Sequence, residues 1–349
     1  MARIVRIALT GAPCSGKTSA IERLAADFYN ESRDVFICPE AAYEVIAEGC
    51  SRSDYLRFET EVAKKQIQNE DELLKRAYNS EKQEAVIFYD RTVTDCFSYV
   101  DDKQALAKSI GMGIVDSWSR YDAIITLEAV ERSEYFCTPS RIEDYENALA
   151  CQDKLLDVMV GHPHLRYVKS NESFDKKYSS VKAEIDSVLS GYEIEKKLLI
   201  EYPDFDELAK YKPFKAKISQ TYLLCAVGSH RVRKRSANGV DTYFETLKIR
   251  VTGSCCEETE GIISKQKYDE LLKSADPSKH TINKDRYCFL FDGQYFELDV
   301  FDFWNDRAFL ELELKSENHS FTLPPEIKVI KDVSNDYHYK NNYLAGLDL

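Results

Sequence analysis

Residues 11–18, GAPCSGKT, stand between an apolar run rich in β-branched residues, IVRIALT (4–10), and a stretch with helical periodicity, AIERLAADF (20–28). Strand, glycine loop and helix in that order leave few folds open. The loop fits G-x-x-x-x-G-K-[ST], and Gly11, Ser15, Gly16, Lys17 and Thr18 are its expected nucleotide-binding residues. The glycines let the backbone fold tightly, so that successive N–H groups converge on phosphate oxygens. The positive end of the following helix adds to that field. Lys17 is expected to bridge the β- and γ-phosphates, and the Thr18 hydroxyl to hold Mg2+.

Four further β-runs follow: VFICPE (35–40), AVIFYDR (85–91), DAIITLE (122–128) and LRYV (165–168). Helical patterns separate them, a long one over 55–79. The alternation predicts an α/β domain, a doubly wound parallel sheet with its ligand at the C-terminal ends of the strands. Glu40 and Asp90 stand at such ends. Asp90 is expected to hold Mg2+ through water, the other reading being a helix N-cap. Glu40 is either a site carboxylate or a solvated loop charge.

The chain has 349 residues, enough for two domains, and a formal charge of −13, which argues against nucleic acid as a partner because phosphate backbones need a basic face. Its ten cysteines include no CxxC pair, and its six histidines show no zinc-ligand spacing. The N-terminal apolar run is short and broken by Arg6, unlike a signal peptide. No apolar run approaches the ~18–20 residues of a membrane span. Reduced thiols and a cytoplasmic protein are expected, one that could still touch a membrane surface. Oligomeric state is not legible.

NESFDKKYSSVKAEIDSVLSG (171–191) reads as a last amphipathic helix, with Val181, Ile185 and Leu189 on one stripe and Gly191 as its stop. Beyond it, alternating strands dominate. The boundary is expected near Ser190, with a nucleotide-binding domain over 1–189 and a second domain over 190–349. Period two puts Glu193, Glu195 and Lys197 of EIEKK on one face. It does the same for Arg231, Arg233 and Arg235, for Thr246 and Lys248, for Glu258 and Glu260, and for Lys284 and Arg286. Glu297 and Asp299 also share a face, as do Glu311 and Glu313, with Leu310, Leu312 and Leu314 opposite. One amphipathic strand is ordinarily a solvated sheet face. About six strands repeating it, each face nearly pure in sign and acidic strands separate from basic ones, suit a closed antiparallel barrel whose charged faces line a lumen. So many enclosed charges are too costly unless they bind something of both signs, such as a triphosphate with a divalent metal. Basic side chains would grip phosphate, and carboxylates would hold Mg2+ or Mn2+.

Glu193-x-Glu195-x-Lys197 resembles the ExExK signature that opens CYTH domains, the fold of triphosphate tunnel metalloenzymes. ISQTYL (218–223), Arg231-x-Arg233, Leu247-Lys248, ELDVF (297–301) and ELEL (311–314) follow in that family's order. KDVSNDYHYKNNYLA (331–345) is similar to its closing segment, with Asp332 and Ser334 in place of Glu and Thr; the arginine usual before the acidic pair at 258 and 260 is absent. This resemblance covers about 190–349 and implies an α+β domain around an eight-stranded antiparallel tunnel. The first half resembles P-loop nucleoside and nucleotide kinases, whose strand ends in an Asp-Arg pair like Asp90-Arg91. Arg132 and Arg141 lie where those kinases carry lid arginines, although a charged helix surface would account for both. The whole chain is similar to the TRPL translocation defect protein family, described as GTP-binding and phosphoinositide-binding trafficking factors, and to plant tunnel enzymes with a uridine-kinase-like first domain.

Three functions are implied. In the first, a metal-dependent phosphohydrolase takes a nucleoside triphosphate or inorganic triphosphate. Lys197, Arg231, Arg233, Lys248, Lys284 and Arg286 would hold phosphates, Glu193, Glu195, Glu311 and Glu313 would hold metal, and GTP or ATP would occupy the glycine loop with Thr18, Asp90 and Arg91. In the second, a GTP- or ATP-regulated protein reads phosphoinositide head groups. In the third, a small-molecule kinase places Asp90 near the acceptor hydroxyl. No base-reading N-K-x-D motif tells GTP from ATP.

Overall fold

The computed structural model describes residues 2–136, 144–170, 173–252, 255–315 and 319–347; the side chains of 193, 250–252 and 255–258 lie outside that description. The chain divides into two compact units, Met1–Asp186 and Ser187–Leu349.

In the first unit, β1 (Arg3–Gly11), β2 (Arg33–Cys38), β3 (Glu84–Asp90), β4 (Ala123–Leu127) and β5 (Leu165–Val168) form a parallel sheet in the order β2-β3-β1-β4-β5. Between and after them run α1 (Lys17–Phe28), α2 (Ala41–Ala47), α3 (Tyr55–Tyr78), α4 (Lys103–Ile110), α5 (Ile114–Trp118), α6 (Tyr145–Met159) and α7 (Phe174–Ser190). Consecutive residues of the inner strands, such as Ile7, Ala8 and Leu9, are wholly buried, so both faces of the sheet are covered. That is why these strands read as unbroken apolar runs rather than alternating ones. The long helix begins at its cap, where Asp54 accepts a hydrogen bond from Arg57 N.

The second unit comprises β6 (Tyr192–Glu201), α8 (Phe205–Leu208), β7 (Phe214–Leu223), β8 (Ser229–Ala237), β9 (Val240–Thr252), β10 (Cys255–Ile263), α9 (Lys265–Leu271), β11 (Ile282–Phe291), β12 (Gln294–Phe301), β13 (Arg307–Glu313), β14 (Val329–Asp332) and α10 (Asn341–Leu344). The antiparallel order is β10-β9-β8-β7-β11-β12-β13-β6-β14, and β10 also pairs with β6. That pairing, Cys255↔Ile194, Cys256↔Glu193 and Glu257↔Tyr192, closes the eight strands β6 to β13 into a ring. The ninth strand, β14, takes the rest of the same edge of β6, around Leu198–Ile200.

Two hairpins hold the register. Asn238-Gly239 joins β8 to β9 and Asp292-Gly293 joins β11 to β12, all four residues at positive φ between 49° and 80°. Two-residue turns of this kind match the twist of their strands, and a slip by one residue would turn every charge outward. On the outer face, Leu198, Ile200, Phe289, Phe296, Leu298, Leu310 and Leu312 are buried together with Leu208 of α8. Leu223 and Val232 pack with Tyr268 of α9.

Candidate functional site: a glycine loop and a charged lumen

The glycine loop takes the conformation that its residues permit. Gly11 has φ +144°, and a Cβ there would fall 2.3 Å from Leu127 O; Gly16 has φ +87° at the head of α1. Lys17 is buried and folds back along the loop, donating to Gly11 O at 3.0 Å, Ala12 O at 3.3 Å and Ser15 Oγ at 3.5 Å. Burial, with Arg91 second, lowers its ammonium to about 8, against the pull of Glu40, Asp90 and Asp95. Thr18 is exposed on the first turn of α1. Asp90 is buried, and burial raises its carboxyl to about 6 against the pull of Lys17. Its Oδ1 has no hydrogen-bond partner among the described residues, an orphaned oxygen that suits a bound cation or its water.

Arg91 adopts left-handed backbone (φ 72°) and turns its guanidinium to Glu40 (Nε to Oε1 3.1 Å), Asp95 (Nη1 to Oδ2 3.2 Å) and the Tyr99 hydroxyl (3.1 Å). Glu40 is therefore paired within the cluster rather than a solvated charge. Sequence reasoning missed Asp95, which also accepts from Thr10 Oγ1 at 2.7 Å and Thr92 Oγ1 at 2.6 Å. RTVTDCF carries no periodicity that would mark it. Glu59 of α3, raised to about 7 by burial and touched by Cys96, was missed although its helix was legible, because the helical pattern does not say which carboxylate is turned inward. Of the lid candidates, Arg132 pairs with Glu146 at 3.1 Å with both side chains exposed, as a surface arginine would, and Arg141 lies outside the described residues.

In the barrel, residues directly opposite across an antiparallel pair share a face. Glu195 faces Glu313, and Lys197 faces Glu311, which faces Glu297. Arg286 faces Asp299, and Lys284 faces Phe301. Around the ring, Gln220 faces Arg233, Tyr222 faces Arg231, Thr246 faces Arg231 and Glu260, and Lys248 faces Ser229. The structure thus brings Glu195, Lys197, Arg231, Arg233, Lys248, Lys284, Arg286, Glu311 and Glu313 to one inner face. The Glu193 backbone joins that ring at its closure with β10, while its side chain lies outside the described residues.

The charges keep to separate strands, basic on β8 and β11 and acidic on β12 and β13, but they pair across the strands. Arg286 makes four hydrogen bonds to three carboxylates: Nε and Nη2 to Asp299 (both 2.7 Å), Nη2 to Glu311 (2.8 Å), and Nη1 to Glu297. Lys284 donates to Asp299, and Lys197 to Glu311 at 2.6 Å. Neighbouring antiparallel strands set these groups side by side, and enclosed charges take the partners within reach. Lys197, Lys284 and Arg286 together hold the Glu311 carboxyl well below its usual range, although burial opposes them. Arg233 grips Glu260 at 2.6 and 2.7 Å, and Thr246 Oγ1 donates to the same carboxylate at 2.6 Å. Arg231 meets the Tyr222 hydroxyl.

Asp299, Glu297, Glu260 and Tyr222 were not singled out as site residues. The alternation showed the acids as a pair, but not what faces them. Lys340, just before α10, was missed altogether; burial lowers its ammonium, while Glu195 and Glu311 pull it up. Asp332 pairs with Lys196, on the other face of β6, and with Ser334 Oγ at 2.7 Å. On the inner face, Leu199, Tyr222, Ile282, Phe301 and Phe309 pack with Val333, Leu344 and Ala345 into an apolar cluster. Among the described residues, no three metal-ligating side chains are gathered as an ion site. No described helix is long and apolar enough to cross a membrane.

A family model described as an AAA domain matches residues 6–177, and one described as a CYTH domain matches residues 191–331. Among solved structures, the chain is similar to the inorganic triphosphatase NE1496, at 30% identity over 44% of this chain and 95% of that one, with a TM-score of 0.31. It is also similar to the protein PH1819 from Pyrococcus horikoshii OT3, at 21% identity over 36% of this chain and 80% of that one, TM-score 0.29. A third is a putative adenylyl cyclase from Hippeastrum described as having a dominant triphosphatase activity, at 17% identity over 35% and 80% of the respective chains, TM-score 0.27. No curated protein matches the chain.

Proposed function

The chain belongs to the proteins that carry an AAA domain followed by a CYTH domain, and from that membership we propose a metal-dependent phosphohydrolase that takes inorganic or nucleoside triphosphate in the barrel and binds GTP or ATP at the glycine loop. The observation that carries this reading is the lumen, where one inner face collects cations and carboxylates from seven of the eight strands of a closed ring, β7 adding the polar Gln220 and Tyr222.

Its parts divide by what they already touch. Lys284 and Arg286 are committed to Asp299, Glu297 and Glu311 and form a rigid charged floor. Glu195 and Glu313 stand directly opposite each other, two carboxylates that one cation could bridge. With Glu193 two residues earlier on the same strand, this all-oxygen set fits Mg2+ or Mn2+. Bound there, the ion would neutralise phosphate charge and lower the pKa of an attacking water. Arg231 and Lys248 are the phosphate grip, joined by Lys197 and Arg233 when phosphate takes the place of Glu311 and Glu260, their hydrogen bonds strengthened by charge. The apolar cluster around Phe301 and Phe309 keeps water from that end of the lumen.

A second reading is favoured by the ion pairs themselves. Lys197 and Arg233 already hold carboxylates, as suits a barrel that senses triphosphate or phosphoinositide head groups without cleaving. Phosphate release from inorganic triphosphate, ATP and GTP, with and without Mg2+ or Mn2+, tests both. Metal-dependent release that falls ~100-fold in Arg231→Ala, the loss typical of one charge-stabilising donor, and survives in Lys17→Ala supports the hydrolase. Binding without release supports the sensor.

A further inference from the structure

The parallel sheet of the first unit gives a bound nucleotide a direction. β1 lies between β3 and β4. Asp90 ends β3, and Lys17, which feels its charge, lies on that side of the loop, so the terminal phosphates belong there. The other side, at the ends of β4 and β5 and the start of α7, is left for the rest of the nucleotide.

Phe174 stands there. It is the first residue of α7, and its ring edge lies 3.2 Å from where a Cβ on Gly16 would be. For an aromatic ring beside a buried loop it is unusually open, 37% exposed. The ring is also held in place. Tyr178 stacks with it at 6.2 Å between centroids and 30° between planes, and the Arg23 guanidinium lies 5.7 Å from its centre while pairing with Asp175 at 2.7 Å. A fixed, half-open aromatic face next to a phosphate cradle is a stacking platform.

We propose that Phe174 is the nucleobase platform of the glycine-loop site, and that it reads the π-face of the base rather than its hydrogen-bonding edge. The inference rests on the glycine loop holding a nucleotide's phosphates. Every base presents a π-face, so such a platform accepts adenine and guanine alike. That agrees with a sequence that carries no N-K-x-D motif.

The test is a calorimetric titration of the full chain with ATP, GTP and inorganic triphosphate. The component that disappears in Lys17→Ala is assigned to the glycine loop. Phe174→Leu should weaken that component about ten-fold for ATP and for GTP equally, the loss of one stacked base. It should leave the inorganic triphosphate component unchanged. Phe174→Trp should retain or improve nucleotide affinity, and both variants should melt with the wild type. Unchanged nucleotide affinity in Phe174→Leu would overturn this inference alone. Equal losses for triphosphate and nucleotides would also overturn it, showing that the ring merely props the loop. Absence of any Lys17-dependent component would overturn both the inference and the nucleotide site beneath it.

Discussion

Eight consecutive residues, Gly11 to Thr18, build the glycine loop of the first unit, whereas the second draws its charged inner face from seven of its eight ring strands, between Glu195 and Glu313. One is made mostly of backbone N–H groups and tolerates many side chains around its glycines. The other is made wholly of side chains and depends on register at every strand pair. The two also rest differently. Lys17 leans on carbonyls of its own loop and is held below its ordinary pKa. Arg286 is clasped by three carboxylates and held above its own. A buried cation without a counter-ion in contact is a cost that ligand binding relieves; a buried cation in a network is part of the fold.

The largest expected effect breaks the network. Arg286→Met leaves Asp299, Glu297 and Glu311 without their shared partner and should destabilise the second unit by about 3–5 kcal/mol, read by denaturant unfolding. The matching change in the first unit has the opposite sign. Lys17→Met should stabilise it by about 2 kcal/mol at pH 7, because a pKa lowered to about 8 means that the folded state disfavours the charge. The gain should shrink as the pH rises from about 8 toward the ordinary lysine value of 10.5, where the unfolded lysine also loses its proton. Nucleotide binding at the loop should be lost in the same variant.

Asp90→Asn sharpens the contrast at similar size. Burial raises the wild-type carboxyl to about 6 from its ordinary 3.8, so its ionised form penalises folding at neutral pH. Removing that charge should add about 2 kcal/mol above pH 6, a gain that falls away as the pH drops toward 4. Thermal melts across that range check the sign. Gly239→Ala should cost about 1 kcal/mol. A Cβ there meets nothing within 4 Å, so only the positive φ of 80° resists it, and the register-setting hairpin should weaken without breaking. Arg132→Ala should change stability by less than about 0.5 kcal/mol, since its ion pair with Glu146 is exposed.

The same contrast explains what the sequence let one read. The five parallel strands were legible within a few residues because buried strands are apolar runs, and the glycine loop because its residues are contiguous. The inner faces of β6, β8, β12 and β13 were legible because period two is direct. The partners were not. Nothing in EIEKK says that Lys197 meets Glu311, and nothing in RYCFLF says that Arg286 meets three carboxylates, because those contacts depend on strand order and shear. Asp95 and Lys340 lie in segments without periodicity and become visible only when distant chain is brought to them.

The central claim is that the closed lumen binds triphosphate through metal. Equilibrium binding of inorganic triphosphate to the full chain, with and without Mg2+, in wild type and in Glu195→Gln, tests it most directly. The account predicts binding that requires metal, is lost in Glu195→Gln at unchanged melting temperature, and is retained in Lys17→Ala. Tight binding without metal, indifferent to Glu195→Gln, would contradict it and leave the barrel as a basic docking site.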